Sequence, residues 1–117
     1  MGFQVYAREF GSIVVIEAAG KLTLTDGHTK LRDEIHVASA NERKKFILNL
    51  ARVEFIDSYG IGELVRCYSV VRRAGGDLKL ACLNEKVLHV LEISHLAAIF
   101  DICPNESVAL QAFGQYS

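Results

Sequence analysis

A chain of 117 residues is one domain's worth of sequence, and with 50% of it hydrophobic it can build a core without a disulfide or metal staple. The 13 Lys and Arg nearly balance the 14 Asp and Glu, leaving a formal net charge of −1 and excluding a whole-domain nucleic-acid footprint. Cys67, Cys82 and Cys103 are odd in number and lack a CxxC pair, so they read as buried structural thiols of a cytoplasmic protein.

The start, Met1-Gly2-Phe3-Gln4-Val5, has neither the basic stretch nor the apolar run of a secretory signal. Glu17 interrupts the run Ile13-Val14-Val15-Ile16 far too early for a membrane span. Phe3-Gln4-Val5-Tyr6-Ala7 alternates weakly and predicts an edge strand, which offers a route to a homodimer. The β-branched run from Ile13 to Ile16 predicts a more buried strand. Gly20 and the stretch Thr23-Leu24-Thr25-Asp26-Gly27 break the pattern. Thr25 or Asp26 is placed to cap a helix whose inner face carries Leu31, Ile35 and Ala38. Lys45-Phe46-Ile47-Leu48-Asn49-Leu50 reads as a strand covered by helices on its faces.

Beyond residue 60, Ile61, Leu64, Val65, Tyr68 and Val71 form one apolar helical stripe. Arg72 and Arg73 suit the C-terminal end of that helix, and Gly75-Gly76 stops it. Leu78-Lys79-Leu80-Ala81-Cys82 is a short strand. Val87, Leu88 and Leu91 mark a helix with Asn84 as its cap, and Ile99-Phe100-Asp101-Ile102 reads as a last strand. Pro104-Asn105-Glu106 opens a final helix bearing Val108, Ala109, Ala112 and Phe113, ended by Gly114. The sum is a single small α/β domain over residues 1–117, with a mixed, mostly parallel sheet covered by helices and an antiparallel initial pair.

Asp57 and Ser58 fall where a strand hands over to a helix, and either could serve simply as its cap. Gly60 and Gly62 lie in the first turn, where each costs up to about 1 kcal/mol relative to alanine. Bare backbone is therefore wanted there, for close packing or for an approaching partner. Enzyme motifs fit poorly. Ile56-Asp57-Ser58-Tyr59-Gly60 lacks the first glycine of a hydrolase elbow, and Val65 stands where a dinucleotide fingerprint needs its third glycine. His28 and His36 are too far apart for an i, i+4 chelate, and His89 and His95 straddle a helix end. Arg66, Arg72 and Arg73 read as solvated helix charges.

The run Val53-Glu54-Phe55-Ile56-Asp57-Ser58-Tyr59-Gly60-Ile61-Gly62, followed by Leu64, resembles the signature of STAS domains, the anti-sigma factor antagonists. The likeness continues through Arg72-Arg73-Ala74-Gly75-Gly76-Asp77 and the segments near Val87-Ile93 and Ser107-Leu110. It implies an STAS-like fold and a regulator that is not an enzyme and needs no cofactor. Ser58 would be the residue phosphorylated by a partner kinase. Unphosphorylated, the chain would bind an anti-sigma serine kinase, and a serine phosphatase would reset Ser58. Asp57, Ser58, Tyr59, Gly60, Ile61, Gly62 and the exposed helix positions Glu63 and Arg66 would form the interface. Family relatives also serve membrane transport systems or larger signalling assemblies. Here Tyr59 replaces a small hydroxyl residue common in relatives, and Gly20-Lys21-Leu22-Thr23-Leu24 lacks their early acidic residue.

Overall fold

A computed structural model describes residues 2–23 and 29–114. Five strands and four helices follow in the order β1 (Gln4–Phe10), β2 (Ile13–Leu22), α1 (Lys30–Ala40), β3 (Lys45–Ile56), α2 (Ser58–Arg73), β4 (Asp77–Ala81), α3 (Glu85–Ile93), β5 (Asp101–Cys103) and α4 (Glu106–Ala112). The sheet keeps chain order, β1-β2-β3-β4-β5. β1 runs antiparallel to β2, and β2 to β5 are mutually parallel. Parallel neighbours need a crossover, and crossovers keep one hand. Because the strand order never reverses, α1, α2 and α3 all land on one face of the sheet. The larger core lies there, joining Val14, Ile16, Phe46, Leu48, Leu78 and Leu80 to Leu31, Ile35, Leu64, Val71, Val87 and Leu91 of the helices. α4 packs over the other face, where Ala109 and Leu110 meet Ile13, Val15, Ile47, Ala81 and Cys103.

The strands run longer than their apolar cores. β2 continues to Leu22 and β3 to Ile56, with register shifts between Glu17 and Ala19 and between Gly20 and Lys21. β4 pairs with β3 only as far as Asn49↔Ala81, so the last turn of β3 pairs with β2 alone, where Lys21 faces Phe55 and Leu22 faces Ile56. On its free side the Asn84 amide donates to the Val53 carbonyl at 2.8 Å while its Oδ1 accepts from the Val87 N–H at 2.8 Å. One side chain thus caps α3 and ties it to β3. Asn105 caps α4 in the same manner, accepting from Val108 N–H at 2.9 Å.

Several expectations shift. The last strand begins at Asp101, two residues later than its sequence pattern, because Ile99 turns back to the Leu96 carbonyl and Phe100 drops into the helix-side core. The buried stripe of α2 is Gly60, Glu63, Leu64, Cys67 and Val71, while Ile61, Val65 and Tyr68 flank it half-buried. Thr25, Asp26 and His28 lie outside the described residues; α1 begins after Thr29, whose side chain makes no capping bond. Cys67 and Cys103 are buried as expected, whereas Cys82 is half-buried.

Candidate functional site

The C-terminal ends of the parallel strands deliver Leu22 and Thr23, Asp57 and Ser58, and Asn84 to Lys86 to one edge of the sheet. At its centre α2 starts abruptly. Asp57 has extended backbone, and its Oδ1 accepts from the Gly60 N–H at 2.9 Å, satisfying one of the orphan donors of the first turn. The cap is therefore Asp57, and Ser58, the first helical residue, is not needed for it. Ser58 is exposed, and its hydroxyl makes no hydrogen bond among the described residues. Tyr59 beside it is also outward-facing, 55% exposed.

The two glycines have different reasons. A Cβ on Gly60 would stand 2.1 Å from the Leu22 carbonyl oxygen and 2.6 Å from Ile56 Cγ1, so only glycine lets α2 close against the end of β2. A Cβ on Gly62 would meet only the guanidinium of Arg66, at 3.3 Å from one terminal nitrogen. Close packing explains the first glycine and leaves the second as bare, accessible backbone.

Glu63 corrects the sequence reading. It is not an exposed interface position but 1% exposed, and its carboxylate accepts from Arg32 Nε of α1 at 2.9 Å. Arg66 lies 3.6 Å from its other oxygen, beyond hydrogen-bond range, and is itself mostly in solvent. Glu63 thus joins α1 to α2 beneath the Ser58 turn. The helical period alone placed it off the apolar stripe; its partner, 31 residues away, leaves no local signal. Below it, burial and then the Glu63 charge push the Cys67 thiol up to about 12, so it stays protonated and inert.

Sequence reasoning also passed over the other side of the turn. Lys21, Thr23, Glu54, Phe55, Asp57 and Lys86 line an open groove there, and Phe55 is 50% exposed. Phe55 and Tyr59 therefore set two exposed aromatic rings on either side of Asp57–Ser58 in the sequence. No local signal marked it. Strict alternation would put Phe55 on the same face as buried Val53, but the end of β3 departs from alternation and leaves Glu54 and Phe55 both exposed between Val53 and Ile56. Among the described residues no group of three or more His, Cys, Asp or Glu could hold a metal, and no helix is long and apolar enough to cross a membrane.

This architecture and this turn match a known family. The profile of the STAS domain covers residues 4–109. The chain belongs to the STAS domain family. Among STAS relatives, the anti-sigma F factor antagonist of Paenibacillus polymyxa is 26% identical over 113 residues, covering 94% of both chains. The anti-sigma-B factor antagonist of Bacillus subtilis is 26% identical over 111 residues, covering 95% of this chain and all (100%) of the relative. The solved structure of the Bacillus cell fate determinant SpoIIAA in its phosphorylated form superposes with a TM-score of 0.68 at 22% identity, over 96% of this chain and 99% of that one. That likeness extends the STAS fold assignment across both faces of the sheet, α4 included.

Proposed function

We propose that this STAS chain is an anti-sigma factor antagonist that docks an anti-sigma serine kinase through the 57–62 turn while Ser58 is unmodified. The carrying observation is the division of labour at that turn: Asp57 holds the helix and leaves the exposed Ser58 hydroxyl unengaged. The names of its full-length relatives support the regulatory class. In this reading the kinase supplies ATP. Ser58 Oγ bonds to the γ-phosphorus, the bond to the β-bridging oxygen breaks, ADP leaves and the serine proton is released. A serine phosphatase hydrolyses the ester again. No cofactor, nucleic acid or membrane insertion enters the scheme, which runs in the cytoplasm.

The phosphate adds about −1.5 to −2 charges at a site that a partner would have to desolvate. A loss of about 4 kcal/mol weakens binding roughly a thousandfold, enough to empty most complexes. The contact surface comprises Asp57, Ser58, Tyr59, Gly60, Ile61, Gly62 and Arg66, with Tyr59 as the aromatic anchor. Gly60 contributes by shaping the turn, and Glu63 supports it from inside. The solvent-facing β1 edge leaves room for a homodimer.

The test is capture from the source lysate by wild type and by Ser58→Glu, followed by mass spectrometry. A soluble ATP-binding kinase retained by wild type and lost by the variant is the expected result. Equal retention of a transporter subunit by both would overturn the reading.

A further inference from the structure

Ser58, Gly62 and Arg66 descend one row of α2 at i, i+4 and i+8. Side chains on a helix lean toward its N-terminus, so the Arg66 side chain lies over the position of Gly62, on the way to Ser58. The contact is close: one terminal guanidinium nitrogen stands 3.3 Å from where a Gly62 Cβ would be, and the guanidinium carbon stands 4.0 Å from it. Four residues of helix separate Gly62 from Ser58, a rise of about 6 Å. An arginine reaching forward over a glycine spans that gap from the C-terminal side toward the oxygens of a phosphate on Ser58.

Arg66 is also available. Its nearest anion, Glu63, is 3.6 Å away and already takes a 2.9 Å hydrogen bond from Arg32. Around the serine, Asp57 is engaged by the Gly60 N–H, Glu63 is buried and Arg32 of α1 is spent on Glu63. Lys21 and Lys86 line the groove on the other side of Asp57, and on the row of Ser58 itself Arg66 is the cation, held only by its 3.6 Å approach to Glu63.

We infer that Arg66 is the phosphate-receiving residue of this switch: it clasps phosphorylated Ser58 across the side-chain-free Gly62. The inference rests on the reading that Ser58 carries phosphate. Arginine suits the task because its planar fork takes two phosphate oxygens at once. The clasp draws the guanidinium, which already lies over Gly62, forward onto Ser58, so that phosphorylation pins the arginine to this face as well as adding charge. On the unmodified face the Arg66 head is held only by its 3.6 Å approach to Glu63 and can move aside; on the modified face it is tied into an ion pair with the phosphate.

The test uses the full chain with phosphoserine genetically encoded at position 58, followed by 31P NMR against pH. Wild type is compared with Arg66→Met and Arg66→Lys, and circular dichroism verifies each fold. The helix start and Asp57 act equally in all three, so the differences isolate position 66. The expected result is a second phosphate ionisation in wild type that lies roughly half a unit or more below that of Arg66→Met, since a nearby cation favours the dianion. Arg66→Lys should fall between them, and the Arg66 Nε–H resonance of wild type should move on phosphorylation. Identical titrations in wild type and Arg66→Met would overturn the clasp. That failure is distinct from failure of the kinase reading, which the capture experiment measures and which an intact clasp would not rescue.

Discussion

At position 60 the lack of a side chain is a packing requirement, and at position 62 it is an opening. The contacts say so: an added methyl meets a carbonyl oxygen of the neighbouring strand in one case and the far end of a flexible arginine in the other. Backbone cannot retreat, whereas a guanidinium in solvent can. Gly60→Ala should therefore cost about 3 kcal/mol, at the upper end of overpacking effects. Gly62→Ala should leave stability unchanged or raise it by up to about 1 kcal/mol, because alanine is the better helix former. Urea midpoints of the two variants against wild type read the contrast directly, and equal losses would refute it. The sequence announced that both glycines mattered without saying which mattered for folding. Spacing along a helix is visible in one dimension, while the Leu22 carbonyl that decides the matter arrives from a strand 38 residues upstream.

At the scale of the element, α2 starts with two polar residues of different duty. Losing the Asp57 cap should cost about 1 kcal/mol in Asp57→Ala, while Ser58→Ala should stay within about 0.5 kcal/mol of wild type. If Ser58→Ala proved as destabilising as Asp57→Ala, the serine would be structural and the switch reading would lose its footing. Caps at Asn84 and Asn105 were legible or nearly so, since an amide or carboxylate ahead of an apolar run is a local signal. Strand ends were less so. β2 and β3 extend past their apolar runs because each supplies the other's backbone partners, a benefit that no single segment displays. Glu63 is the sharpest case. An acidic residue next to an exposed tyrosine turn reads as surface until α1 places Arg32 over it, and only then is its burial tolerable.

Across the whole molecule, the two faces of the sheet are held differently. The helix face is closed by three amphipathic crossovers; the other depends on the seven-residue α4. A polar clasp reinforces it, with Glu106 receiving Arg8 of β1 at 2.6 Å and the buried Asn49 amide of β3. Burial alone would raise the Glu106 ionisation, but the hydrogen bonds from Arg8 and Asn49 and the Arg8 charge outweigh it and hold the carboxyl below its ordinary 4.5. A carboxylate with a depressed folded value stabilises above its unfolded value and loses that contribution as pH falls through the folded one. Glu106→Gln should thus be about 1 kcal/mol less stable than wild type near neutral pH, with the gap shrinking below pH ~4. Chemical denaturation at neutral and acid pH gives both values, and a gap independent of pH would show that Glu106 acts only by packing.

The sequence by itself determined the order of elements, the largely parallel sheet, the family and the placing of Ser58 at a strand-to-helix turn. Those features are written in local period, in caps and in a contiguous motif. Tertiary structure alone decided that Asp57 is the cap and Ser58 is unengaged, that Glu63 is buried, that Phe55 and Lys86 edge the turn, and that Arg66 lies over Gly62. Each of these depends on which side chains meet after α1, α2 and α3 are laid on one face of the sheet. Such meetings cost no residue a change in its own local pattern, and so leave no trace in it.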